Sequence, residues 1–440
     1  MVSWYRYSCA DDLVLLAPNQ EVLEKCLLVA ERYASQWRFD FNHGKSKVVV
    51  VGSRQVRQAA RTHVWRLSNN TLDFVESYKY LGIEFVSRRG RGKWNTLIAR
   101  STSKASTSTS LLMYRGGGTN GVRPRTMTSL WTTQVRPILE YGCVLWEGEM
   151  SARCEAQLEK VQNSFGRAVL GLKTMASAAG VRSSLGLSSL KARRRALKAG
   201  YWNKLCLADP DGLLSVVFRC RHAEVQAGGA ALSCLRSFRD TLSDLDLGQY
   251  WTDRSVTDDW GTLVRTASET VYVQEQNAEI AGHTSLAVYS TLDYGSNCGL
   301  HPYLDTIGNR LGVRLMTNLR LGTLMLMQRI AAGLKWPTSA GRCLMCKSGC
   351  IEDAYHFLVS CPALQQCRQQ LILLLRMQLP QAGPPGAFLA AYVSSRLGGS
   401  DHSAVCLVAS ALFLLAYRVG TKRSGLSSVP KRHGWPTSYF

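Results

Sequence analysis

The sequence predicts an α+β protein whose strands are gathered near its start. Three observations carry this. Residues up to about 93 alternate short apolar strand segments with one amphipathic stretch. From about Trp94 the strand signal fades and the apolar residues fall at helical spacing. Near the end, cysteines and a histidine cluster at short spacing, the mark of a small metal knuckle.

Residues 4–17 read as two strands around Asp11-Asp12. Asn19 then caps a helix whose apolar face holds Val22, Leu23, Cys26, Leu27, Ala30, Tyr33 and Trp37. Arg38 to Asn42 and Ser46 to Val51 read as strands, a hairpin turns at Asn69-Asn70, and a strand follows at 78–85, giving a mostly antiparallel sheet. Residues 95–205 read as helices broken at 116–121, at Pro137 and near Gly171. Within them STSKASTSTS (101–110) has the composition of a linker. Residues 206–300 are acidic and carry no clear pattern, so they read as a connector that includes Trp251 to Ser255. Residues 305–335 and 363–378 read as helical. A Pro/Gly break, a final apolar helix and a basic tail close the chain. The predicted divisions are therefore 1–93, 94–205, 206–300, 301–378 and 379–440.

The chain has 440 residues, 46% of them hydrophobic, which supports two or three folded domains and excludes wholesale disorder. Its formal charge is +22, distributed as +17 over residues 1–200, −6 over 201–300 and +11 over 301–440. An excess of that size points to a polyanionic partner, most often nucleic acid. The 14 cysteines come without an N-terminal apolar stretch, so an intracellular, reducing setting is expected, nuclear or cytoplasmic alike, and metal ligation precedes disulfides as their reading. The longest apolar run, Ala404 to Tyr417, is too short to span a bilayer, so no membrane partner is expected.

Asp11 and Asp12 admit two readings. One is a solvated turn. The other is a divalent-metal site, because adjacent carboxylates at the edge of a core repel each other without a cation. Cys343, Cys346, His356 and Cys361, spaced C-x2-C-x9-H-x4-C, fit a tetrahedral structural Zn²⁺ site, set against buried free cysteines beside a surface histidine. Cys350 and Cys367 are nearby alternatives as ligands. Two basic clusters, Arg88, Arg89, Arg91 and Lys93, then Lys191, Arg193, Arg194, Arg195 and Lys198, are either phosphate contacts or solvated faces. Arg167 lies in an amphipathic stretch and could equally pair internally.

The order of these motifs resembles the reverse transcriptases (RNA-directed DNA polymerases) of non-LTR, LINE-type retrotransposons. The carriers are Cys9-Ala10-Asp11-Asp12, with Cys9 where that family has an aromatic; Asn42, Lys45, Ser46 and Lys47; and Tyr80, Leu81 and Gly82. They continue through residues 135–146, 157–173 and 183–198. They end in the box, with Glu352, Asp353, His356, Phe357, Leu358, Cys361 and Pro362.

The resemblance implies the second half of a polymerase palm with a primer-grip hairpin at Tyr80-Leu81-Gly82, a helical thumb and a C-terminal zinc motif. It implies that Asp11 binds Mg²⁺ or Mn²⁺, that Asp12 supports that site, and that Lys45 or Lys47 lies near the triphosphate. It implies an RNA template and a DNA primer or target as partners. For the zinc box it implies either positioning of nucleic acid or a purely structural role.

Ten residues precede Asp11, too few for the fingers and the upstream aspartate that the family requires. The expectation is a C-terminal part of a retroelement polyprotein, inactive alone as a polymerase. After Cys361 the one acidic residue is Asp401, so no nuclease site is expected there; nor is a ribonuclease H site expected at Trp251 to Ser255, where Arg254 replaces the usual glycine. Two other function classes stand beside the polymerase: a non-enzymatic RNA- or DNA-binding module, and a protein whose basic faces meet an acidic protein partner.

Overall fold

A computed structural model describes residues 5–9, 12–87, 94–117, 122–172, 175–229, 233–286, 289 and most of 299–369. It is mixed α+β and mostly helical, and it divides into two compact units: residues 1–100 with 149–154, and 101–148 with 155–440.

The first unit opens with a hairpin of β1 (Tyr5–Cys9) and β2 (Asp12–Leu16), closed by the pair Cys9–Asp12. α1 (Gln20–Trp37) follows. Asn19 caps it, its Oδ1 accepting from the Val22 N–H at 3.0 Å. The helix buries Val22, Cys26, Leu27, Ala30 and Ala34. Tyr33 and Trp37, expected on that face, are exposed; the buried stripe ends at Ala34, and Arg38 stops the helix in the left-handed region at φ 56°.

The strand expected at 38–42 is absent, and that at 46–51 shrinks to β3 (Lys47–Val48). A helix not foreseen, α2 (Arg54–Thr62), starts on the Ser53 cap. β4 (Trp65–Leu67) and β5 (Asn70–Phe74) turn at Ser68-Asn69, one residue earlier than expected, with Ser68 at φ 54°. The small sheet runs β3-β5-β4, and its β3–β5 pair is parallel. Leu27, Val48, Ala60, Trp65, Leu67 and Leu72 form its core.

The stretch 78–85 is not one strand but a hairpin, β6 (Ser77–Tyr80) and β7 (Ile83–Val86). Leu81 (φ 47°) and Gly82 (φ 80°) form its two-residue turn, the doubly positive geometry that suits the right-handed strand twist.

α3 (Asn95–Leu112) absorbs the Ser/Thr-rich stretch that resembled a linker. Ala105 is fully buried, and the Thr109 hydroxyl accepts from the buried Trp131 indole at 3.2 Å. Packing thus overrides weak propensity. α4 (Pro124–Gln134), α5 (Arg136–Glu140), α6 (Cys143–Trp146), α7 (Ala152–Val169), α8 (Ala178–Leu185) and α9 (Leu190–Cys206) follow, with breaks at 135 and near Gly171.

The described residues from 206 to 281 are no loose connector. α10 (Leu213–Gln226), α11 (Ser233–Asp244), α12 (Gly248–Asp253) and α13 (Trp260–Ala281) share one core with α9. Trp202 sits at its centre, with ring centroids of Phe218 and Trp251 at 5.4 and 5.3 Å. Trp251, at the head of the stretch once weighed as a nuclease motif, is a core residue.

α14 (Arg310–Arg320) and α15 (Met327–Gly333) lead into the Cys/His segment. The expected helix at 363–378 is described only to 369, and the apolar helix and basic tail lie outside the described residues. No described helix is long and apolar enough to cross a membrane.

Two glycines test this packing. Gly186 ends α8 at φ +64°, and a Cβ there would lie 2.4 Å from the Gly299 carbonyl carbon. Gly200 lies inside α9 with nothing within 4 Å of its would-be Cβ. In urea melts, Gly186→Ala is expected to lose at least about 2 kcal/mol. Gly200→Ala is expected to gain about 0.5–1 kcal/mol.

Candidate metal centre

The Cys/His segment is a knuckle closed by backbone pairing. Arg342 bridges Ile351, and the Cys343 N–H donates to the Cys350 carbonyl at 2.8 Å. This folds the strand-like arms back on each other and turns Cys343 and Cys346 toward the same point. Asp353 then starts the next turn, its Oδ1 accepting from the His356 N–H at 2.6 Å. The Cys361 N–H donates to the His356 carbonyl at 2.7 Å, so the last two ligands share one turn.

The ligand atoms of Cys343, Cys346, His356 and Cys361 all lie within 4.8 Å of one another. Sγ of Cys343 and Cys361 are 3.9 Å apart, and Sγ of Cys346 is 3.3 Å from Nε2 of His356. Zinc–sulfur bonds of about 2.3 Å and zinc–nitrogen bonds of about 2.0–2.1 Å put tetrahedral edges at roughly 3.8 and 3.5 Å. The donor spacing fits. Three sulfurs and an imidazole are a soft set, suited to zinc and not to Mg²⁺. Nδ1 of His356 lies 3.4 Å from the Ser360 hydroxyl, which steadies the ring from behind.

Burial pushes the Cys343 thiol up to about 12 and raises that of Cys361. Hydrogen bonding from Ser348 holds Cys346 down at about 6. The cluster can therefore hold a metal ion, and a metal must displace protons from the two buried thiols. Of the alternative ligands, Cys350 is exposed and outside the cluster, and Cys367 lies outside the described residues.

The residues expected to act on nucleic acid fare differently. Asp11 lies outside the described residues; Asp12 is exposed at the closing pair of the first hairpin. Among the described residues no three carboxylates converge as the Cys/His group does. Lys45 is exposed, and its turn is clasped by Asn42, whose Oδ1 accepts from the Lys45 N–H at 3.1 Å. The Lys45 carbonyl accepts from the Tyr78 hydroxyl at 2.8 Å, which ties this turn to β6. Lys47 pairs with Asp73 at 2.6 Å. Tyr80 is half-buried, and Leu81 is exposed at the tip beside Gly82. Arg88, Arg89, Arg91 and Lys93 lie outside the described residues.

The second basic cluster is not a solvated face. Arg193 pairs with Glu140 at 3.2 Å. Arg194 is fully buried, paired with Glu147 and lying over the Trp146 ring at 5.6 Å. Arg195 pairs with Asp244 and Glu275, each at 2.9 Å. Lys198 is fully buried, and its ammonium donates to the Glu147 carbonyl at 2.8 Å and to Ser237. Lys191 lies 3.9 Å from Glu155. Arg194 and Lys198 have no surface to offer a phosphate, and Arg193 and Arg195 are already engaged. Arg167 likewise donates to the Ala176 carbonyl at 3.0 Å. Charge complementarity accounts for this: Glu140, Glu147 and Glu155 of the preceding helical segment, and Asp244 and Glu275 of the acidic stretch, are the partners of this helix.

No family model matches the sequence, and no curated protein matches it.

The purified chain should carry one zinc per molecule by elemental analysis. Cys343→Ser should abolish that content, and chelation should lower the melting temperature by several degrees, as loss of a native-state ligand requires. Arg194→Ala should cost about 3–5 kcal/mol in denaturant melts by stranding Glu147.

Proposed function

We propose that this chain acts on nucleic acid and derives from the reverse transcriptase of a non-LTR retrotransposon. Its proposed reaction, in the intact polymerase, is RNA-templated DNA synthesis by two-metal phosphoryl transfer. The observation that carries the reading is the antiparallel hairpin of β1 and β2, which ends on the pair Cys9–Asp12 and leads into the Asn19-capped helix. The Asn42 clasp around Lys45, tied through Tyr78 to the Tyr80-Leu81-Gly82 hairpin, supports it. So do the helices that follow and the Cys/His centre.

In this proposal Asp11 and Asp12 hold Mg²⁺ or Mn²⁺ against phosphate oxygens. Lys45, with an exposed ammonium, meets the triphosphate and supplies a proton to the leaving pyrophosphate. The hairpin tip at Tyr80 to Gly82 contacts the primer strand.

A second reading is a binding module without catalysis. It is favoured by the charge of +22. In both readings the zinc-held knuckle helps to position RNA or DNA.

One set of measurements separates them. Fluorescence anisotropy with an RNA–DNA hybrid should give an affinity whose logarithm falls with log salt at a slope of several units. Primer extension in Mg²⁺ that disappears in Asp11→Asn and Asp12→Asn supports the polymerase and overturns the expectation that the chain is inactive alone. Salt-sensitive binding without incorporation agrees with the module and equally with a polymerase part that is inactive alone. Absent or salt-independent binding refutes both.

A further inference from the structure

Glu352 stands between the second and third residues of the metal cluster, yet it is buried and its carboxylate is shared between two elements. Oε1 lies 3.9 Å from Sγ of Cys343. Oε2 accepts from the N–H of Met327, the first residue of α15, at 2.8 Å. The Glu352 peptide adds two ties: its N–H donates to the Gly341 carbonyl at 2.8 Å, and its carbonyl accepts from the Gln328 N–H at 3.4 Å. Contact is close enough that a Cβ on Gly341 would come within 3.0 Å of Gln328 Cα.

The residue preceding α15, Leu326, gives the helix no side-chain cap. The first amides of a helix have no partner within it, so Glu352 supplies from outside what the local sequence lacks. The turn just before α15 is itself embedded. Leu321 is fully buried, and a Cβ on Gly180 of α8 would sit 2.5 Å from its Cδ2. Arg329 of α15 donates back to the Gly322 carbonyl. A continuous set of contacts thus runs from Cys343 through Glu352 to α15 and the turn packed on α8.

We propose that Glu352 is a positioning residue that couples metal occupancy of the Cys/His centre to the order of α15. The ligands fix the knuckle, the knuckle fixes the carboxylate, and the carboxylate fixes the first amide of the helix. The coupling rests on the metal centre and is independent of what the chain does to nucleic acid. It works through hydrogen-bond acceptance and shape. Negative charge beside a thiolate is unfavourable, so Glu352→Gln, which keeps an oxygen for Met327, is expected to preserve the coupling and zinc affinity. Glu352→Ala removes the acceptor and is expected to weaken zinc binding about 10–100-fold, the usual effect of losing a group that supports a ligand.

The test is hydrogen–deuterium exchange on the full chain, zinc-loaded and chelator-stripped, with zinc content measured in parallel. Stripping the unmodified chain should raise exchange of the amides of residues 327–333 at least tenfold, while α9 and α13 stay protected. In Glu352→Ala those amides should exchange fast with or without zinc, and Glu352→Gln should restore the zinc dependence. Zinc-loaded chain whose α15 amides do not respond to stripping overturns the coupling and leaves the metal centre standing. An equal rise across α9 and α13 also overturns it, since the response is then global. A chain that takes up no zinc overturns both. The comparison on the unmodified chain decides the matter even if Glu352→Ala fails to fold.

Discussion

Arg194 and Lys198 lie one turn apart on α9 with no exposed surface. Buried charges without partners are among the most costly features a fold can carry. Residues of α6, α11 and the turn after α6 lower that cost. Glu147, just after α6, meets the Arg194 guanidinium with its carboxylate and the Lys198 ammonium with its carbonyl. Ser237 of α11 takes a further Lys198 proton. Trp146 and Phe238 present ring faces to the two cations, at 5.6 and 4.7 Å. Toward the periphery, Glu140, Asp244 and Glu275 engage Arg193 and Arg195. Directional contacts to buried cations tolerate little displacement, so they set the register of the helices around α9. The Trp202 cluster then fills the remaining space with non-directional packing.

This arrangement changes how the charge of the chain is understood. A basic first half followed by an acidic stretch looks like two binding regions and a spacer. In the folded unit part of that asymmetry is internal pairing, as Arg195 with Asp244 and Glu275, and Arg182 with Glu279, show. The overall excess is +22, and the 193–195 cluster is not free to present it to a partner. The first unit depends instead on caps and turns. Asn19, Ser53 and Asn42 satisfy backbone groups that its small core cannot shelter. The Cys/His cluster offers a third solution: four ligand atoms within 4.8 Å of one another, which could hold a metal ion in a segment too short to build a core.

Local signals were legible where the responsible residues are close in sequence. The first hairpin, the Asn19-capped helix, the helical character of 95–205 and the Cys/His ligand set all follow from spacings of a few residues, because caps, turn residues and knuckle geometry act over that range. Signals failed where distant partners decide. The Ser/Thr stretch at 101–110 became helix because it packs: Ala105 is fully buried and Thr109 accepts from the buried Trp131 indole. Tyr33 and Trp37 fell off the buried face of α1 because the layer beneath ends at Ala34.

The sequence by itself determined the mixed α+β class of the fold, the four Cys/His residues that cluster as candidate metal ligands and the order of its motifs. Each of these is fixed by residue type and short spacing. Only the tertiary structure decided that Arg194 and Lys198 are interior groups, that residues 206–281 are a packed helical layer, and that Glu352 reaches from the metal centre to α15. The physical reason is common to all three. The free energy of a charged or polar side chain depends on its distance to water and to its counter-group, and folding sets both distances between residues 25 to 80 positions apart.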